Sequence, residues 1–167
     1  RDLSRKEEVE NFGQWLLDNG IAIDVLVNNA GNFLPGTVYN EEAGMLEEMI
    51  AVNLYSAYHL TRKLLPTMMK QSIAAGSRGH IFNMCSIASL GAYPNGGSYS
   101  ISKFALNGFS QNLREEMKAH HIKVTAVFPG AVMTDSWGDY DNTSNRIMEA
   151  NDIAKMIYAA AQLSPQA

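Results

Sequence analysis

The 167-residue chain holds a single cysteine, Cys85, so no disulfide can form within it. A lone thiol fits a reducing, cytoplasmic setting. No stretch of about 18 apolar residues occurs, which leaves no helix to span a membrane. The opening run Arg1-Asp2-Leu3-Ser4-Arg5-Lys6 is polar and lacks the apolar centre of a secretory signal. Positive charge is scarce: 13 Lys and Arg against 17 Asp and Glu leave a net charge of −4. That balance weighs against nucleic acid or an anionic membrane as the partner. His59, His80, His120 and His121 show no ligand spacing with Cys85 or with carboxylates. They read as ordinary surface or helix-end residues, and no metal is expected. An initiator Met is also missing, so the sequence reads as the interior of a longer gene product. Repeats, low-complexity tracts and interdomain linkers are absent, and residues 1–167 read as one domain.

What is present suffices for a packed core. Hydrophobic residues make up 46% and charged residues 18%, a composition that folds. Glu7 to Leu17 places Val9, Phe12 and Leu16 on one helical stripe, ended by Asn19-Gly20. Ile23-Asp24-Val25-Leu26-Val27 is short, β-branched and mostly apolar, the pattern of a strand buried on both faces. Asn28-Asn29-Ala30-Gly31 breaks it. Helical stretches follow at about Glu42 to Ile50 and Leu54 to Ser72, with Pro66 as a kink. His80 to Met84 reads as a second buried strand and Leu90 to Gly97 as a loop. Ser98 to His120 reads as a long helix and Val124 to Phe128 as a third strand, stopped by Pro129-Gly130. A last helix spans about Asn151 to Gln162. This alternation implies an α/β fold with a parallel sheet and flanking helices. Ligands of such sheets bind beyond the carboxyl ends of the strands. Asn28 to Gly31, Ser86 and Pro129-Gly130 all fall at those ends.

Tyr99 and Lys103 stand four apart near a helix start and share a face. A tyrosine titrates near 10, and an adjacent ammonium lowers that value and makes the phenol useful in acid/base catalysis. Alone the pair is close to a chance occurrence. Its context makes it specific. Ser86 lies just past a strand, where a hydroxyl can donate to a substrate oxygen. Asn53 falls at the junction of two helical stretches. Asn29, Ala30 and Gly31 allow close approach of a cofactor, and Pro129 to Thr134 ends the third strand in the same way.

This ordered set, Asn28-Asn29-Ala30-Gly31, Asn53, Ser86, Tyr99-x-x-x-Lys103 and Pro129-Gly130-x-Val132-x-Thr134, resembles the short-chain dehydrogenase/reductase family over nearly the whole chain. The resemblance implies a Rossmann-like sheet and a hydride-transferring oxidoreductase acting on a small carbonyl or alcohol. The implied cofactor is NADP or NAD, with NADP slightly favoured. Carried over by position, Tyr99 exchanges a proton with the substrate oxygen and Lys103 binds the nicotinamide ribose and lowers the Tyr99 pKa. Ser86 positions the substrate oxygen, and Asn53 holds a water linking Lys103 to solvent. Asn29, Ala30 and Gly31 line the adenosine ribose side, while Asp2 and Leu3 flank the adenine. Pro129, Gly130, Val132 and Thr134 surround the nicotinamide. The helices Leu54–Ser72 and Ser98–His120 match the family's dimer-forming pair, which implies a homodimer or homotetramer for a full-length enzyme.

The family's Thr-Gly-x-x-x-Gly-x-Gly phosphate loop has no counterpart here. On the family pattern about sixty residues are missing upstream: the first three strands with their helices. The final strand is missing too. The chain therefore reads as a truncated part of the fold, with the strand at Ile23–Val27 left as an exposed apolar edge. A protein limited to these residues is expected to bind no dinucleotide and to be inactive. Two other functions are weighed. A sugar-nucleotide epimerase or dehydratase also uses Tyr-x-x-x-Lys, but Asn28 to Gly31, Asn53 and the short region after Thr134 argue against it. A non-catalytic interaction module would fit truncation, but intact Ser86, Tyr99 and Lys103 argue against degeneration. Cys85 reads as a packing residue, and the nine methionines as mostly core filler. Leu90, Tyr93, Trp137 and Tyr140 are candidates for substrate contact. Glu41, Glu42, Glu47 and Glu48 read as a solvated helix face.

Overall fold

A computed structural model describes residues 1–73, 76–144 and 147–164. Three strands, β1 (Val25–Asn28), β2 (Gly79–Met84) and β3 (Ile122–Val127), form a parallel sheet in the order β1-β2-β3. The register pairs Leu26 with Ile81 and Ile81 with Val124. Parallel neighbours need helical crossovers, and the chain supplies them. Helix α1 (Lys6–Asp18) precedes β1, α2 (Met45–Ile50) and α3 (Ser56–Met68) connect β1 to β2, and α4 (Gly97–Lys118) connects β2 to β3. A short parallel pair, β4 (Val132–Met133) and β5 (Met148–Glu149), precedes the final helix α5 (Ala150–Ala161). Two-residue strands are too short to leave a sequence pattern, and this pair was not expected. Among the described residues, no helix is long and apolar enough to cross a membrane.

One face of the sheet carries the main core. Leu26, Ile81 and Val124 meet Val9 of α1, Leu60, Leu64 and Met68 of α3, and Leu113 and Met117 of α4. The stripe expected on α1 is present, since Val9 is buried and Phe12 and Leu16 pack against this cluster. The other face is covered only in part. His80 and Phe82 are buried there, their rings 3.8 Å apart, but Val25 and Val27 are exposed. The expectation of β1 buried on both faces is therefore corrected: only Leu26 and Asn28 face packed structure. Apolar chemistry on both sides of a strand shows that both can be buried, not that a covering layer is present. The free edge of β3 borders a groove of about 640 Å³ along α4, lined by Arg114, Lys118 and Lys123 among others.

The two helical stretches expected on either side of Asn53 are joined rather than broken. Residues Ala51–Tyr55 are π-helical, and the run is helical from Met45 to Met68. The Ser56 amide reaches back five residues to the Ala51 carbonyl. The Ser56 hydroxyl bonds the Val52 carbonyl at 2.6 Å, so a carbonyl displaced by the wider turn is satisfied locally. Pro66 sits in the last turn of α3, close to the helix end.

Candidate active site

A buried polar chain organises the carboxyl ends of β1 and β2. The Asn28 amide donates to Thr61 Oγ1 at 3.0 Å and to Asn83 Oδ1 at 2.8 Å. Asn83 Nδ2 donates to Ser110 Oγ at 2.9 Å, and that hydroxyl donates to the Leu106 carbonyl. The chain ties α3, β1, β2 and α4 together where the site stands, and each member is buried and paired. Thr61, Asn83 and Ser110 were not singled out from the sequence. They carry no spacing signal, because their partners come from distant segments.

Ser86 follows β2, and its backbone leaves the strand in an extended conformation. Its hydroxyl oxygen accepts the Ala88 amide at 3.1 Å, while its own amide donates to Ser89 Oγ. The Ser86 hydroxyl proton is left free of that capping arrangement. Tyr99 lies in the first turn of α4, with Lys103 one turn on. The Lys103 ammonium sits 5.8 Å from the centre of the Tyr99 ring. It donates to the carbonyl of Met84, the last residue of β2, at 2.8 Å. Asn53 lies in the π-helical turn and is buried. Its amide nitrogen donates to Ser102 Oγ at 2.8 Å and to the Asn32 carbonyl at 3.1 Å, and its oxygen accepts the Asn32 amide at 2.7 Å. Ser102 in turn donates to the Tyr99 carbonyl. A Cβ placed on Gly31 would stand 3.0 Å from Asn53 Oδ1 and 3.5 Å from Lys103 Nζ. Asn53, Gly31, Lys103, Tyr99 and Ser86 are thus brought to one place.

Burial dominates the electrostatics. It pushes the Tyr99 phenol above its ordinary value, with the Ser86 hydroxyl acting in the opposite direction. The family resemblance implies that Lys103 lowers the Tyr99 pKa, whereas burial moves the phenol the other way. Burial also pulls Lys103 down to about 8. Cys85 is buried and its thiol is pushed up, as befits a packing residue. His80 departs from its expected surface role: it is buried, bonds Thr125 Oγ1 through Nε2, and is pulled down to about 4.

Most of the remaining cofactor-side candidates fall into three groups. Asn29, Ala30 and Gly31 follow the end of β1, with Gly31 against Asn53 and Lys103. Pro129 is tied to the Ser86 segment, its carbonyl accepting the Ile87 amide at 3.1 Å, and Gly130 follows it. Val132 lies in β4, its carbonyl accepting Trp137 Nε1, and Thr134 is exposed before the short 3₁₀ turn at Asp135–Trp137. Asp2 and Leu3 lie apart from these groups. The Asp2 carboxylate bonds the amide and hydroxyl of Ser4, and Leu3 packs on the main core. The Trp137 and Tyr140 rings meet at a tilt of 55° with centroids 5.1 Å apart, and Leu90 and Tyr93 are exposed. No group of three or more His, Cys, Asp or Glu able to hold a metal occurs among the described residues.

The comparisons with known proteins concern the chain as a whole. A family model described as short chain dehydrogenase matches residues 1–145. An uncharacterized oxidoreductase of Staphylococcus aureus (strain MRSA252) is 30% identical over 162 residues, which cover 96% of this chain and 68% of that protein. A crystal structure of a metagenomic short-chain oxidoreductase in complex with NADP is 31% identical. It superposes with a TM-score of 0.78, covering 99% of this chain and 67% of its own. The structure of a 4-hydroxyisoleucine dehydrogenase complexed with NADH is 25% identical, with a TM-score of 0.81, and covers 99% of this chain and 74% of its own. The chain thus spans about two thirds of the length of these relatives, with a partial Rossmann-like sheet, and it belongs to the short-chain dehydrogenase/reductase family of oxidoreductases.

Proposed function

We propose that Ser86, Tyr99 and Lys103 carry the proton-transfer half of carbonyl reduction or alcohol oxidation on a small molecule, coupled to NADP or NAD. One observation carries the reading: a buried ammonium, a half-buried phenol and a hydroxyl whose proton its cap does not use converge at the carboxyl end of β2. The relatives solved with NADP and with NADH support both cofactor forms. The donor set fits the ribose and nicotinamide side of such a cofactor. An ammonium has three N–H donors, and the Met84 carbonyl takes one of the three on Lys103. The others suit ribose hydroxyls beside the Gly31 backbone. Asn29 and Ala30 would line the adenosine ribose, Asp2 and Leu3 the adenine, and Pro129, Gly130, Val132 and Thr134 the nicotinamide. These residues include no glycine-rich loop for the pyrophosphate.

When bound, the nicotinamide supplies or accepts the hydride. Ser86 donates a hydrogen bond to the substrate oxygen, keeping its own proton, and orients the carbonyl. Tyr99, held neutral by burial, passes its phenol proton to the oxygen as negative charge develops there. The Lys103 charge then stabilises the phenolate left behind. Asn53 holds the relay in place through Ser102 and Asn32, and a water on Asn53 completes the path from Lys103 to solvent. Burial favours the neutral phenol, so the geometry suits reduction at neutral pH. The cytoplasm is the proposed setting, and assembly into a homodimer or homotetramer uses α3 and α4; Tyr55 in the turn just before α3, and Ile101 and Phe104 of α4, are exposed.

The test replaces Tyr99 by Phe, with any coding sequence upstream of Arg1 included. Turnover of NADPH over a carbonyl panel is lost, while nicotinamide fluorescence still reports binding. Undiminished turnover removes Tyr99 from this role.

A further inference from the structure

Glu41, Glu42, Glu47 and Glu48 look alike in the sequence, but only the last three are exposed. Glu41 precedes α2 and is not part of a solvated helix face. Its carboxylate crosses to the N-terminus of α4, 57 residues away in sequence, where Oε1 accepts the Ser98 amide at 2.8 Å and Oε2 accepts the Ser98 hydroxyl at 2.5 Å. It thereby satisfies an orphan amide at the positive end of a 22-residue helix. The seat is shaped for it. A Cβ on Gly97 would lie 2.0 Å from Oε1, and one on Gly36 would lie 2.7 Å from the Glu41 Cγ. Gly97 also has a φ of +36°, which side chains avoid.

Two other bonds tie down the same segment. The Asn32 amide is held by Asn53 at 2.7 Å, and the Gly36 amide donates to the Asn95 carbonyl at 3.1 Å. Between these ties Phe33 sets its ring edge-on to Tyr99, with centroids 4.8 Å apart and planes at 82°. Tyr99 follows the latch point, Ser98, directly. We infer that Glu41 is a positioning residue: by latching the segment Asn29–Glu41 to Ser98, it holds Phe33 against Tyr99 and fixes where the phenol stands. Glu41 acts through Ser98, the residue before Tyr99 in α4, and through Phe33 against the ring. Its value for catalysis rests on the acid/base role proposed for Tyr99, but the placement itself is a separate, measurable property.

The test labels the 167-residue chain with fluorotyrosine and follows the Tyr99 line by fluorine NMR, assigned by its loss in Tyr99→Phe. Phe33→Leu moves that line by removing the neighbouring ring current. Glu41→Ala moves it in the same direction, and Glu41→Gln, which keeps a carbonyl acceptor for the Ser98 amide, returns it most of the way. A lowered unfolding midpoint in Glu41→Ala with the Tyr99 line unmoved overturns the inference, because that is a helix cap alone. A Phe33→Leu line that does not move overturns it as well. If Glu41→Ala does not fold, Ser98→Ala removes only the hydroxyl bond and is read the same way: a partial shift supports the latch, an unmoved line refutes it. None of these readouts depends on turnover, so the latch and the acid/base role of Tyr99 stand or fall separately.

Discussion

Lys103 is expected to cost the fold stability. Its ammonium is buried and compensated by one carbonyl, and burial lowers its pKa from an ordinary 10.5 to about 8. At neutral pH the charged form persists in the folded chain at a penalty. The gap between the two values corresponds to roughly 3 kcal/mol, at about 1.4 kcal/mol for each tenfold step. Lys103→Met keeps the length of the side chain and removes the charge. It should therefore stabilise the chain at pH 7 by about 1–3 kcal/mol, the lower end allowing for the lost bond to Met84. The sign has a pH signature. Between about pH 8 and 10.5 the unfolded lysine still binds a proton and the folded one does not, so wild-type stability rises with pH across that window. The variant has no such rise, and its advantage should shrink toward zero at high pH. Urea unfolding of both chains at a series of pH values measures the difference directly, with other titrating groups cancelling. A variant less stable than wild type at pH 7, by an amount independent of pH, would refute the reasoning. The same substitution should abolish turnover, so stability and activity move in opposite directions at one residue.

Other expectations are simpler. His80, pulled down to about 4 from 6.5, contributes stability that is fully present above pH 6.5 and is lost as pH falls toward 4, up to roughly 3 kcal/mol; His80→Gln should flatten that part of the pH–stability curve in urea. Leu64 is fully buried in the main core, and Leu64→Ala should destabilise by about 2–5 kcal/mol in the same measurement. Asn53→Ala strands Ser102 and the Asn32 backbone, costing on the order of 2–4 kcal/mol, and hydrogen exchange should show the Asn32 amide losing protection.

Much of the fold could be read from the sequence because its signals are local. The apolar runs at residues 23–27, 80–84 and 124–128 stand at the three main strands, and Gly or Pro marks the turns between them. Tyr99, Lys103, Ser86 and Asn53 could be named because their order along the chain resembles a family pattern. Other features were illegible for physical reasons. Val25 and Leu26 have the same chemistry, so nothing local distinguishes the uncovered face of β1 from the covered one. The π-helical turn at Ala51–Tyr55 has no residue code of its own. Glu41 differs from Glu42 only in what stands 57 residues later. His80 looked like a surface histidine because its burial depends on Phe82 and Thr125 from the folded sheet. Tyr99 and Lys103 share a helix face by their spacing alone, but the burial that moves their pKa values belongs to the tertiary structure.

The π-helical turn also makes the helical run a device that counts residues. From Met45 to Met68 the chain contains two stretches of ordinary pitch, offset by the wider turn between them. Met49 on the first stretch and Leu60 and Leu64 on the second are all buried, so both stretches are phased to the interior at once. Each α-helical residue advances the azimuth by about 100°. Deleting one residue between Ala51 and Tyr55 would erase the offset and turn one stretch against the other by about that angle. Either Met49 or the Leu60–Leu64 stripe would swing toward solvent, and Asn53 would leave Ser102. The segment can therefore accept changes of side chain far more readily than a change of length.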